Sequence, residues 1–310
     1  MRKVTGIGET VYDIVFKDGR PRDAVPGGST FNSMISLGRC GIPSAFLSEV
    51  GRDKVGSIVK EFMTANGVDT EYVKTLDAKT PVSLAFLDEN NDATYSFYRE
   101  PVSRAVPGDL EAPDIREDDI VLFGSFHALN PASRPIVRRF LEFARSRGAI
   151  IYYDVNFRPS HIKDLGNIGN ALWENLEFAD VVRGSREDFQ TLFGLDDAAE
   201  VFRDKISSRC GNFIRTDGAS PLRVMDIHGL DLEFPVKEIR TVSTIGAGDS
   251  FNAGFIYGLV RSDMTRERLL SGLDAAEWAG LVALAQEFSA SCCASTQNYI
   301  TPEFAATLKQ

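Results

Sequence analysis

The chain has 310 residues, 43% of them hydrophobic and 25% charged, with 34 Lys and Arg against 44 Asp and Glu, a net charge of −10. That length suits one large α/β domain with an insertion, or two domains, and the composition excludes disorder, collagen and coiled coil as descriptions of the whole. The acidic balance argues against a dedicated nucleic-acid binder, which needs a cationic face, yet a few local arginines still suffice to hold a small anion.

In chain order, residues 4–7 read as a short strand ending in Gly8-Glu9. Residues 10–28 carry hairpin character, with Lys17-Asp18-Gly19-Arg20 as the turn. A helix follows over 30–40, its apolar face made by Phe31, Met34, Ile35 and Leu37, then a strand over 45–50 and a helix over 56–66 closed by Gly67. A second hairpin is expected over 81–104, with strands at 82–87 and 93–98 about a turn at 88–91. Residues 120–123 form a buried strand before Gly124-Ser125, 135–147 an amphipathic helix stopped by Gly148, and 149–155 the clearest buried strand. Shorter strands are expected at 178–182 and 212–215, and helices at 251–260 and 275–288. The alternation predicts an α/β fold, a mainly parallel sheet sandwiched by helices. The two hairpins have no helix between their strands, so they predict a small separate sheet over the C-terminal edge of the main one, where open α/β folds bind ligands. The expected organisation is one domain over 1–310, with a lid from about 10–28 and 80–104.

No apolar run approaches the ~20 residues of a membrane span, and residues 1–9 lack the apolar stretch of a signal peptide. The four cysteines, Cys40, Cys210, Cys292 and Cys293, include an adjacent pair and form no CxxC or zinc-spaced cluster. Reduced thiols in a cytoplasmic protein, with neither membrane nor nucleic acid as partner, are the expectation.

Two motifs carry chemistry. In Thr244-Ile245-Gly246-Ala247-Gly248-Asp249-Ser250-Phe251, a small-residue turn runs into an apolar helix. Converging N–H groups and a helix N-terminus suit a phosphate. Asp249 then stands beside an anion site, either as acceptor of a proton from an attacking hydroxyl or simply as a helix cap, and the residues alone do not choose. No Gly-Lys-Ser/Thr follows, so this is not a Walker A loop. The other motif, Pro26-Gly27-Gly28-Ser29-Thr30-Phe31-Asn32, also precedes a helix. It allows close backbone approach at Gly28 and offers Asn32 as donor and acceptor for a sugar hydroxyl, or it is an ordinary turn capped by Ser29 or Thr30.

Together the motifs resemble the PfkB (ribokinase-like) family of carbohydrate kinases, nearest its fructokinase and 2-keto-3-deoxygluconate kinase branch, over essentially the whole chain. Gly27-Gly28 through Asn32, with Leu37-Gly38 and Val50-Gly51-Arg52-Asp53-Lys54-Val55-Gly56, is similar to the family's first signature, and residues 244–255 to the second. The resemblance implies a ribokinase-like fold, a β-sheet lid, ATP and Mg2+ as cofactors, and a homodimer through the lid. It makes Asp249 the base, with the N–H groups of Gly246, Ala247 and Gly248 stabilising the transferring phosphoryl. It places Asp13, Gly28 and Asn32 on the sugar. Asp154-Val155-Asn156-Phe157-Arg158 resembles that branch's Asp-x-Asn-x-Arg segment, which would turn Asn156 and Arg158 into the cleft unless Arg158 serves a surface ion pair, and Tyr98-Arg99 also resembles that branch, with Arg99 either a substrate contact from the lid or a solvated lid arginine. His127 and His161 follow two such strand ends as wall residues. On the nucleotide side Thr216 and Gly218 flank the triphosphate, while Ser185 and Asp188 occupy the family's Asn-x-x-Glu region, where Asp188 or Glu187 would hold magnesium through water. Residues 289–298 are expected to line the adenine pocket.

Three departures from the pattern stand out: Ser185 replaces Asn, Pro221 lies where a glycine is usual, and Ser243 replaces the Asp that commonly helps hold a monovalent cation, which leaves potassium activation open. The expected activity is ATP-dependent phosphorylation of a monosaccharide's primary hydroxyl, with fructose first and 2-keto-3-deoxygluconate second. The alternative from another class is a non-catalytic sugar- or nucleotide-binding scaffold on the same fold. A NAD-dependent enzyme is disfavoured because no GxGxxG follows the first strand.

Overall fold

The computed structural model describes residues 2–89, 93–99 and 112–309. Its strands are β1 (Val4–Ile7), β2 (Val11–Lys17), β3 (Arg20–Gly27), β4 (Ser44–Gly51), β5 (Val68–Asp69), β6 (Val73–Leu76), β7 (Val82–Leu87), β8 (Ala93–Tyr98), β9 (Ile120–Gly124), β10 (Ile150–Asp154), β11 (Val181–Ser185), β12 (Asn212–Asp217), β13 (Ser220–Asp226) and β14 (Asp231–Phe234). The helices are α1 (Ser29–Arg39), α2 (Lys54–Ala65), α3 (Arg134–Ser146), α4 (Ala171–Phe178), α5 (Arg186–Phe193), α6 (Ala198–Val201), α7 (Ala247–Arg261), α8 (Arg266–Leu270), α9 (Ala275–Cys293) and α10 (Pro302–Thr307).

The main sheet runs in the order β14-β13-β12-β11-β10-β9-β1-β4-β5, with β6 also on β4. It is parallel from β12 to β5, and β13 and β14 add an antiparallel edge. Its central strands are apolar on both faces because helices cover both. Alternate residues divide between two cores: Ile120, Leu122, Ile150 and Tyr152 pack with α1, α7 and α9, while Val121, Phe123, Ile151 and Tyr153 pack with α3, α4 and α5. The 3.6-residue spacing of Val137, Phe140, Leu141 and Ala144 gives α3 its buried stripe.

The second sheet, β3-β2-β7-β8, contains both predicted hairpins, joined by parallel pairing of β2 with β7. The predicted turn residues 90–91 and lid residues 100–104 lie outside the described residues. Some boundaries differ from expectation. The strand expected at 178–182 starts at Val181, because Leu172 and Leu176, one turn apart, bury their side chains from α4, which holds Phe178 in a helix. α7 starts four positions earlier than expected, directly on Gly246, and α9 continues to Cys293 because residues 289–293 contain no Gly or Pro to stop it.

Candidate active site

The C-terminal ends of β10, β11 and β12 deliver Asp154, Arg183 and Thr216 to one edge of the main sheet, and the N-termini of α1 and α7 meet there. Gly246, at φ +78°, is the N-cap of α7 and supplies no side chain to cap it. A Cβ on Gly246 would collide with the Asn298 carbonyl, so two constraints demand glycine. The Ala247 N–H donates to the Thr244 carbonyl at 3.2 Å within the turn.

Asp249 does not cap its helix. Its Oδ1 accepts from the Ser29 hydroxyl and its Oδ2 from the Asn32 Nδ2 amide, each at 2.8 Å, both from α1. The Ser33 hydroxyl donates to the Asp249 carbonyl, also at 2.8 Å, locking the two helix starts together. Burial pushes the Asp249 carboxyl up to about 6; the bonds from Asn32 and Ser29 oppose this, and the nearby Asp154 charge adds to it. A carboxylate tuned near neutrality, oriented by two donors beside a phosphate-type turn, can accept a proton at physiological pH.

Asp13 lies across the cleft on β2, 7% exposed. It accepts from the Ser83 hydroxyl on β7 and from the Asn298 Nδ2 amide at 3.2 Å. Burial raises this carboxyl to about 6 as well, against the Ser83 bond. Gly28 sits at φ +126°, where a Cβ would strike the Glu9 carbonyl. Asn32 is 4% exposed, and its buried Oδ1 has no hydrogen-bond partner among the described residues.

The lid sheet has two unlike faces, because successive strand residues alternate. Asp13, Ser83 and Ala85 are buried on the inner face, and Tyr95 joins them there, its ionisation disfavoured by burial and by the Asp13 charge. Tyr98 falls on the other face, in register with Tyr12 and Val82, and is 62% exposed. On the inner face, the place opposite Ala85 is held by Tyr95 instead. Arg99 pairs with Glu9 at 3.3 Å and lies over the Phe97 ring. Arg158 is exposed at the rim, and its charge acts on Asp249 and Tyr95. Asn156, at φ +34°, is partly buried. His161 stacks on Phe126 with centroids 3.8 Å apart, and His127 lies in the short helix Phe126–Ala128.

Ser185 and Asp188, expected on the nucleotide, form the capping box of α5. Asp188 is buried, its Oδ2 accepting from the Ser185 N–H and hydroxyl and its Oδ1 from the Phe157 N–H at 2.7 Å. Those bonds tie the carboxylate to the protein and fit it poorly as a carrier of metal-bound water, whereas neighbouring Glu187 is exposed. Thr216 accepts from Arg183, and Gly218 lies in the exposed turn into β13. Ser243 brings no charge; its hydroxyl accepts from the Ile245 N–H at 3.2 Å. Among the described residues, no three His, Cys, Asp or Glu side chains gather as a metal cluster. Of residues 289–298, the first five belong to α9, and Asn298 reaches Asp13 on β2.

Sequence reasoning found Asp249, Asp13, Asn32 and Gly28, which the structure brings together, but missed Ser29 as a partner of the acid, Tyr95, Arg183 and Asn298. Tyr95 was accessible from strand parity; the others are joined through contacts across 29 to 285 positions, which local pattern does not carry.

The pfkB family carbohydrate kinase model matches residues 1–301. The chain is 30% identical over 247 residues to a 5-dehydro-2-deoxygluconokinase of Geobacillus thermodenitrificans, covering 76% of this chain and 72% of that one. It is 29% identical over 278 residues to a fructokinase of Rhizobium leguminosarum bv. trifolii, covering 86% and 82%. The crystal structure of a double-mutant Vibrio cholerae fructokinase with fructose, ADP and a potassium ion superimposes with a TM-score of 0.85 at 20% identity, over 100% of this chain and 99% of that one. A ribokinase-like fold with a separate lid sheet, a glycine turn with its adjacent acid and a match over nearly the full length lead to one assignment: the chain belongs to the pfkB family of carbohydrate kinases and is a sugar phosphotransferase.

Proposed function

We propose that this sugar kinase transfers the γ-phosphoryl group of ATP to the primary hydroxyl of fructose. The observation that carries the reading is Asp249, held by Ser29 and Asn32 beside the Gly246–Gly248 turn. The sugar hydroxyl oxygen forms the new bond to phosphorus, the bond to the β-phosphate oxygen breaks with its electron pair leaving on ADP, and the hydroxyl proton passes to Asp249. The N–H groups of Gly246 and Gly248, with that of Ala247 shared with Thr244, face charge developing on the phosphoryl oxygens; one such donor is worth about 3 kcal/mol of barrier. Asp13 and the Asn32 Oδ1 accept from sugar hydroxyls, and Gly28 lets the backbone approach. Magnesium, held through water by Glu187, would offset the phosphate charge. Ser243 brings no carboxylate to a monovalent cation, so potassium dependence is open and is part of the test.

A second substrate reading, a deoxy keto sugar acid such as 2-keto-3-deoxygluconate, is favoured by Arg158, whose charge is felt at both Asp249 and Tyr95. The 5-dehydro-2-deoxygluconokinase relative points to the same class. A homodimer forms through the outer lid face, where Phe16 and Phe86 stack at 5.1 Å and Phe86 and Tyr98 are exposed. A cytoplasmic setting suits an ATP consumer whose four cysteines are all free and buried; among the described residues, no helix is long and apolar enough to cross a membrane.

The test is ADP release with ATP and magnesium against fructose, 2-keto-3-deoxygluconate, 5-dehydro-2-deoxygluconate, ribose and adenosine, in potassium and in sodium. Turnover is expected with fructose, and the rates in the two salts decide potassium dependence. Turnover only with a sugar acid would replace fructose by the second reading, and a folded protein that binds no ATP would mark a scaffold.

A further inference from the structure

Arg183 sits in the centre of the site, outside every motif that pointed to it. Its side chain is only 9% exposed. Nη1 donates to Asp154 at 2.9 Å and Nη2 to the Thr216 hydroxyl at 2.7 Å. Buried Nε has no acceptor among the described residues. The guanidinium lies 5.8 Å from the Phe251 ring centroid and against Gly248, where an added Cβ would be 2.9 Å from Nη2 and 3.0 Å from Nη1.

This is the wrong end of a helix for a cation. The first turn of α7 carries partial positive charge, so a guanidinium packed on it is repelled, and burial adds to the cost. Pairing with Asp154 answers only part of this, and a cation needed solely for Asp154 has no reason to lie under the turn. The arrangement becomes favourable when a polyanion approaches the same turn. With glycine at 248 no side chain stands between the turn and Nη2, and Thr216 ties the guanidinium to the segment expected beside the triphosphate.

We infer that Arg183 is a catalytic residue, donating from Nη2 past Gly248 to a non-bridging oxygen of the γ-phosphoryl group. It adds a full charge to the N–H groups of the turn as that phosphoryl moves to the sugar. The inference rests on the kinase reading above. It requires that Arg183 distinguish a triphosphate from a diphosphate, which a purely structural ion pair does not.

The experiment is calorimetric titration of the full chain, with magnesium, by a non-hydrolysable ATP analogue and by ADP, for wild type, Arg183→Gln, Arg183→Lys and Asp154→Asn. Arg183→Gln is expected to lose at least tenfold in affinity for the triphosphate and less than threefold for ADP, with kcat down about 100-fold on the preferred sugar. Arg183→Lys should lose three- to tenfold for the triphosphate alone, and Asp154→Asn should keep the wild-type ratio. An unchanged ratio in Arg183→Gln overturns the inference, as does an equal loss in Asp154→Asn, which would make the pair structural. If Arg183→Gln does not fold, the Arg183→Lys ratio decides by the same criterion. Wild-type protein that binds neither nucleotide defeats the kinase reading itself, and this inference with it.

Discussion

Burial holds the Asp249 and Asp13 carboxyls at about 6, above an ordinary aspartate, and pH reads this in two ways. A base must be ionised to accept a proton, so kcat/KM should fall as pH drops through about 6. Asp249→Asn is nearly isosteric and can still accept from Asn32 while donating to the Ser29 hydroxyl, but it cannot take the proton; turnover should fall by about 10³-fold with sugar binding retained, measured by steady-state kinetics and calorimetry. Asp13 has a cost in stability. Its folded-state value of about 6 exceeds the reference of 3.8, so the native state binds the proton more tightly than the unfolded chain. The protein therefore loses up to about 3 kcal/mol as pH rises from near 4 to above 6. Asp13→Asn lacks that loss, and urea melts at pH 4 and pH 8 should show it gaining on wild type at the higher pH. At this scale the sequence was legible where residues act within one turn, as in Gly246 to Asp249. It was silent where they act across the fold: Ser29 reads as a cap until α1 and α7 are seen to meet, and Arg183 reads as one charge on a short strand.

Turns and strand faces decide what each element presents. Gly28 starts α1 in a backbone region closed to other residues, so Gly28→Ala should cost about 2 kcal/mol and raise the sugar KM by displacing Asn32, while the ATP KM changes little. Thermal melts and paired KM measurements check both halves. Both hairpins were predictable because each joins alternating apolar residues through polar turns, but the parallel contact of β2 with β7, which turns two hairpins into one sheet, has no local signal. The edge strands β13 and β14 were missed for a related reason: they lie outside the strand-and-helix rhythm that revealed the parallel sheet. The face Tyr98 presents was not legible although its strand was, since it depends on register, and one position reverses it.

Across the whole molecule, the lid divides its chemistry by face. Its inner side carries Asp13, Ser83 and Tyr95, and its outer side an apolar ladder including Ile14, Phe16, Leu84 and Phe86. A second copy covering that ladder should give a dimer by light scattering at micromolar concentration. Phe86→Asp should shift it to monomer, leaving the melting of the main sheet unchanged. Wild type that remains monomeric would remove the lid as an interface.

Asn298 joins two separate parts of the cleft, its amide on Asp13 and its carbonyl against Gly246. The contact with Asp13 joins positions 285 apart, among the longest separations in the chain, and contacts of that kind are the slowest for a folding polypeptide to secure. Helices and most of the sheet can form before it. Catalytic competence is therefore the last property to arrive: in refolding from urea, recovery of phosphotransfer should trail recovery of helical circular dichroism. For that interval the protein would look native by its backbone and still be inert.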